Sequence, residues 1–188
     1  MAEALRQREQ SAQNLADQIE DLRNSAKGSF ELGNLNESKR FLSELIRINP
    51  KDAEALFNRG IVNERLMKNS EAMADYTDAI KADPGFHKSY VNRGILLASV
   101  GKYKEAVQDF NEALKMEPES PEIYMNIGTA YAEMGKYKEA ITMFSASINL
   151  DHENADAYLN RALAKDKIND TKGAEEDLKR HEFLKSKA

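Results

Sequence analysis

Large apolar and small residues return along this chain in fixed columns. Leu22, Leu56, Tyr90, Tyr124 and Tyr158 are followed, at a constant offset, by Leu42, Tyr76, Phe110, Phe144 and Leu178. Two small-residue columns lie among them: Ala26, Gly60, Gly94, Gly128 and Ala162, then Ser38, Ala72, Ala106, Ala140 and Ala174. The spacing within every column is 34 residues, as it is between Pro50, Pro84 and Pro118. A period of this length marks an array in which each copy is one supersecondary unit and stacking supplies the core. Small side chains at fixed places let two helix backbones approach, and the large ones are the knobs that fill the space between them.

Each copy divides into two helices of about a dozen residues around a short turn, close to the mean helix length. Gly33, Gly101 and Gly135 stand where a helix C-terminus needs positive φ, with Met67 and Asn169 at that place in the other two copies. The repeated Pro falls after the second helix, where its missing N–H and fixed φ end one helix and prepare the next. The prediction is a leading helix over residues 1–18 and an array over 19–188, with units near 19–52, 53–86, 87–120, 121–154 and 155–188. Leu5, Ala12, Leu15, Ile19 and Leu22 keep three-and-four spacing, so the leading helix is expected either to pack on the first unit or to pair with a second copy of the chain. Glu175, Glu176, Lys179, Arg180, Glu182 and Lys185 give the final helix a polar outer side that can cap the array.

The 34-residue period, the small residue, the Tyr/Phe column, the Ala column and the terminal Pro together resemble the tetratricopeptide repeat family over about residues 19–188. GKYKEAVQDFNEAL and GKYKEAITMFSASI, in the third and fourth units, match it best. The first unit is looser, with Ser38 for Ala and Ser29 where an aromatic is common, and the last lacks its Pro. The resemblance implies an all-α, right-handed α-solenoid of about five helix-turn-helix units. It also implies a protein-interaction scaffold whose first helices line a concave groove.

Within that frame the sixth residue of each unit is Asn24, Asn58, Asn92, Asn126 and Asn160. Asn is a mediocre helix former whose amide competes for backbone groups, so a helical column filled with it needs a use. An amide offers an acceptor and two donors, which match the C=O and N–H of an extended peptide without reading its sequence. The column resembles the asparagine ladder in the tetratricopeptide superhelix of O-GlcNAc transferase. The alternative use is a bond to the neighbouring unit that serves stacking. One residue earlier lie Arg23, Phe57, Val91, Met125 and Leu159, and three residues later Lys27, Ile61, Ile95, Thr129 and Leu163. Facing the groove, these would give it an apolar floor through units two to five and a basic mouth at the first, although Ile61, Ile95 and Leu163 can equally pack between units. The dicarboxylate clamp by which some family members hold chaperone tails is not matched. Arg23, Asn58 and Lys88 suit three of its five places, but Lys27 stands for an Asn and Asn92 for an Arg, and a neutral amide does not replace a bidentate guanidinium.

Composition narrows the remaining choices. Apolar residues are 41%, charged residues 31%, and Pro and Gly are few, which suits a folded helical protein. Net charge is −5 with Lys and Arg scattered among Asp and Glu, so no basic stripe exists to follow nucleic acid. There is no Cys, hence no thiolate metal site or cysteine nucleophile, and His87, His152 and His181 lack metal-ligand spacing. Neither a Gly-rich phosphate loop nor a nucleophile elbow is present. The expected partner is a protein or peptide segment, with no cofactor, no metal, no membrane insertion and no catalysis. The N-terminus is too charged for a signal peptide, so a cytoplasmic protein is expected, though an exported one whose signal lies outside this sequence would read the same. The rival readings are a self-associating assembly module and a repeat segment of a larger enzyme or secretion-related protein.

Overall fold

A computed structural model describes residues 1–187. Among them are ten helices and no strand: α1 (Ala2–Glu31), α2 (Leu35–Ile48), α3 (Ala53–Arg65), α4 (Asn69–Ala82), α5 (His87–Ser99), α6 (Tyr103–Met116), α7 (Pro121–Glu133), α8 (Tyr137–Leu150), α9 (Ala155–Asp166) and α10 (Thr171–Lys185). They form two compact units, residues 1–89 and 90–188, the second of them described to residue 187. In the first, the hairpin α1/α2 packs on α3/α4. In the second, α6 packs on the hairpin α7/α8, which packs on α9/α10.

The tight turns follow from backbone chemistry at one residue each. Gly33, Gly101 and Gly135 have φ between +71° and +77°, and Met67 and Asn169 are held at +60° and +62°. In every case the next residue donates its N–H to the carbonyl five residues back: Asn34 to Ser29, Lys68 to Asn63, Lys102 to Leu97, Lys136 to Tyr131 and Asp170 to Lys165, at 2.8–3.0 Å. This Schellman closure satisfies carbonyls the helix end leaves open and reverses the chain within three residues. Asp52 and Asn154 open α3 and α9 by accepting the N–H of Ala55 and Ala157 at 2.9 and 3.1 Å.

Packing inside a hairpin is set by a matched pair of sizes. Tyr76, Phe110 and Phe144 are fully buried, and each ring lies under a glycine of the preceding helix. A Cβ at Gly60, Gly94 or Gly128 would come within 2.5–2.6 Å of the ring. Where the small residue is Ala26, the partner is Leu42, and both are buried in one cluster with Leu45, Ala55 and Val62. Ser38 is buried too, its hydroxyl donating to the Ala26 carbonyl at 2.8 Å, which ties α2 to α1. Leu178, expected as the last knob, is instead 38% exposed, since no helix among the described residues covers that side of α10.

The leading segment also departs from expectation. Residues 2–18 do not form a separate helix that packs on the first hairpin; they are the first half of α1, a single helix of 30 residues. No Gly or Pro interrupts the chain before Gly28, so nothing allows it to fold back. All of residues 2–18 are exposed, Leu5 and Leu15 among them at 56% and 45%, and only from Ile19 and Leu22 onward does the helix join the core.

The size matching predicts the outcome of a substitution pair. Gly128→Ala should lower stability by about 1–3 kcal/mol through overpacking against Phe144. Adding Phe144→Leu, which copies the Ala26–Leu42 pair, should recover most of that loss in denaturant unfolding.

Candidate functional site

The five asparagines sit on the first helix of each hairpin, two positions before the small residue that packs on the second helix. That spacing turns them away from the ring below, toward the edge of the packed surface. Asn58, Asn92, Asn126 and Asn160 are half-buried and Asn24 is exposed. The Asn24 amide donates to Glu20 at 3.3 Å. The side-chain amides of Asn58, Asn126 and Asn160 make no hydrogen bond to any described residue, so at these three positions the amide is not used for stacking.

Each compact unit has a cleft at this face. In the first, a cleft of about 380 Å³ is lined by Arg23, Asn24, Lys27, Glu54, Asn58 and Ile61 at its mouth, with Phe30, Leu42 and Val62 deeper. In the second, a cleft of about 360 Å³ is lined by Thr129, Ala132, Tyr137, Phe144, Asn160 and Leu163. Thr129, Asn160 and Leu163 are the counterparts of Lys27, Asn58 and Ile61, three repeats on, so the two clefts occupy the same place in the repeat.

The expected floor is corrected by these positions. Phe57 is only 9% exposed and stacks on Tyr76 and Phe86, with ring centroids 5.7 and 5.2 Å apart. Val91 packs against the cluster around Phe110, Met125 against that around Phe144, and Leu159 is half-buried outside either cleft. One residue before the Asn is about 100° around the helix, which turns Phe57, Val91 and Met125 into the hairpin, while Arg23 at the same place in the first repeat lines the cleft. The apolar lining comes from the later column: Ile61, and Leu163 at 57% exposure, line the clefts, and Ile95 is exposed as well. The basic mouth is weaker than charge alone suggests. Arg23 is bound by Asp52 at 2.5 Å and Glu54 at 3.0 Å, which leaves Lys27 as the cation of that cleft without an ion-pair partner. Lys88 is exposed on α5 and lines neither cleft.

A second set of polar contacts holds the hairpins together, and the column reading overlooked it. Immediately after the Asn, Arg59, Arg93 and Arg161 each reach a buried carboxylate 16 residues on. Arg93 binds Asp109 through Nε and Nη2, both at 2.7 Å, and Arg161 binds Asp177 at 2.8 and 2.7 Å. Arg59 reaches Asp75 at 2.6 Å, where Asn63 also donates at 2.8 Å. Arg59 and Arg161 reach back to Ser43 and Ser145 on the preceding hairpin at 3.3 and 3.0 Å. Burial opposes ionisation of Asp177, but the hydrogen bonds from Arg161 and Lys165 outweigh it and hold its carboxyl below the ordinary carboxylate value. Arg93 and Arg161 are held above the ordinary guanidinium value by their bonds to the same carboxylates. In the fourth repeat Ile127 and Met143 stand in place of the pair. The repeated Asn-Arg, with Asp 16 residues after the Arg, was the available signal.

Among the described residues no group of three or more His, Cys, Asp or Glu is placed to hold a metal, and no helix is long and apolar enough to cross a membrane. His181 bonds the Ala155 carbonyl at 2.9 Å, which joins α10 to the start of α9.

Three family models described as tetratricopeptide repeat match residues 25–85, 75–108 and 97–165. No curated protein sequence matches the chain. Among solved structures, MamA from Desulfovibrio magneticus RS-1 superposes with a TM-score of 0.85 at 22% identity, over 91% of this chain and 97% of that one. Pseudomonas aeruginosa PilF gives 0.78 at 22% identity over 90% and 77%. YrrB, described as a TPR protein with an unusual peptide-binding site, gives 0.75 at 20% identity over 86% and 83%. At such identities the likeness concerns the fold, an all-α solenoid of helical hairpins.

The fourth repeat shows what the Arg–Asp pair is worth. Asp109→Ala should cost about 3 kcal/mol, because it leaves Arg93 partly buried without its carboxylate. Arg93→Ile with Asp109→Met, which copies Ile127 and Met143, should restore denaturant stability to near the parent value.

Proposed function

Because the chain belongs to the tetratricopeptide repeat family, we propose that it is a protein-interaction module that holds an extended peptide or protein segment along the first helices of its hairpins. The observation that carries this reading is the state of the Asn58, Asn126 and Asn160 amides, which are half-buried and without an internal partner. An amide that bonds nothing within the fold keeps its acceptor and two donors open to the C=O and N–H groups of a ligand backbone. YrrB, of the same fold, is described as having a peptide-binding site, which agrees with the assignment.

The mechanism is non-covalent. Helices already fixed by the hairpin core lose little freedom on binding, so the ordering of the ligand sets most of the entropic cost. The amides pair with C=O and N–H groups whatever the sequence, while the clefts beside Asn58 and Asn160 accept side chains and supply preference. Each compact unit offers its own stretch of this surface. The reading requires no cofactor, metal or catalytic group.

The bare first half of α1 favours a second reading, pairing with another copy through Leu5, Ala12 and Leu15. A monomeric mass by sedimentation at high concentration would end that alternative.

The test is Asn58→Ala with Asn126→Ala and Asn160→Ala. Ala is the better helix former by several tenths of a kcal/mol per site, so thermal stability should hold or rise. Partners that the parent retains from native lysate should be lost. A lowered midpoint with unchanged retention would assign the column to stacking.

A further inference from the structure

The cleft of the first unit reaches further into the core than its counterpart, and the cause is a departure from the Gly–aromatic pairing, which the fifth repeat shares as Ala162 and Leu178 but with Leu178 38% exposed. Repeats two to four place Tyr76, Phe110 or Phe144 beneath a glycine, whereas the first places Leu42 beneath Ala26. A ring is missing there. The cleft accordingly reaches inward to Ala26, Ser38, Leu42, Leu45 and Ala55, all of them buried core residues. Of their counterparts in the second unit, Gly128, Ala140, Phe144, Ser147 and Ala157, only Phe144 lines the cleft, so the ring forms its floor. The walls of the first cleft are apolar, made by Ile61, Val62 and Phe30, and Phe30 is fixed by the Arg65 guanidinium 4.4 Å above its ring. Polar residues, Asn24 and Asn58 among them, also line it.

We propose that this cleft is the anchor subsite of the bound segment and takes one bulky apolar side chain, Leu, Met or Phe in size, flanked by an acidic residue. The proposal rests on the groove reading and adds to it where and how sequence is read. The apolar part follows from the lining: a cleft of about 380 Å³ with a core floor matches one large side chain. The Asn58 amide, which bonds no described residue, lines the same cleft. The acidic part follows from the charges. The ionised lining residues are Arg23, Lys27 and Glu54; Arg23 is already neutralised by Asp52 and Glu54, so Lys27 alone is left to be matched. A partner segment with an apolar anchor beside Asp or Glu meets both demands.

The test pans a phage-displayed random dodecapeptide library on four proteins: the parent; Ala26→Gly with Leu42→Phe; Lys27→Glu; and the triple Asn→Ala variant at 58, 126 and 160. The first variant gives repeat one the Gly–aromatic pairing of repeats two to four and fills the cleft from within. Peptides enriched on the parent should share one bulky apolar residue next to an acidic one. Made as labelled peptides, they should bind the filled-cleft variant at least tenfold more weakly. Lys27→Glu is a surface change that keeps the test valid if the filled variant folds poorly; its peptides should keep the apolar residue and exchange the acidic neighbour for a basic one. Peptides that bind the filled cleft as well as the parent, yet are lost by the triple variant, would overturn the anchor and leave the groove reading standing. No enrichment on the parent would overturn both. A concentration-dependent mass of the parent that the filled cleft abolishes would overturn the assignment to a partner segment and give the cleft to a second copy.

Discussion

Everything in this molecule depends on how closely two helix backbones can approach within a hairpin. A ring packs under a glycine at Gly60, Gly94 and Gly128, where even one methyl group would overlap it. That contact fixes the separation of the two helices, and the Schellman turn at the end of each first helix fixes their reversal. With distance and direction set, the outer face of each first helix is placed without further instruction. The Asn column occupies that face because it falls two residues before the small one, on the side the ring does not use.

The Arg–Asp pairs solve a different problem, which is registry. Each is a two-point bond from the first helix to a buried carboxylate on the second, and Arg59 and Arg161 also reach a hydroxyl of the preceding hairpin. Apolar packing alone tolerates sliding by a turn, whereas a bidentate bond does not. Ser25 with Phe41 in the first repeat and Ile127 with Met143 in the fourth show that two repeats do without it. The polar pair therefore serves alignment more than net stability. Beside Arg59 and Arg161, whose guanidinium groups are consumed internally, the Asn58 and Asn160 amides bond no described residue.

The hairpins, their turns and both small-residue columns were legible in the sequence because several copies repeat the same local demand. Gly33, Gly101 and Gly135 name their own φ, and Met67 and Asn169 could be placed by register alone. The candidate site was legible in part. Register located the Asn column and the later apolar column, but Phe57, Val91 and Met125, each just before an Asn, were assigned to the groove and pack into the core instead. Phe57 illustrates why: a period of 34 locates a column without saying which way it points, and a rotation of about 100° separates groove from core. The Arg–Asp pairs escaped because each joins two columns that were read separately. The continuity of α1 escaped because a change in the repeat pattern is not a break in the backbone.

The central claim is that the side-chain amides of Asn58, Asn126 and Asn160 bond to the backbone of a bound segment. It is tested most directly by following the side-chain NH₂ resonances of Asn58, Asn126 and Asn160 by ¹⁵N NMR during titration with a bound peptide. The account predicts downfield shifts and slowed solvent exchange at these amides, saturating with the same affinity as binding. Binding that leaves all three resonances and their exchange rates unchanged would contradict it.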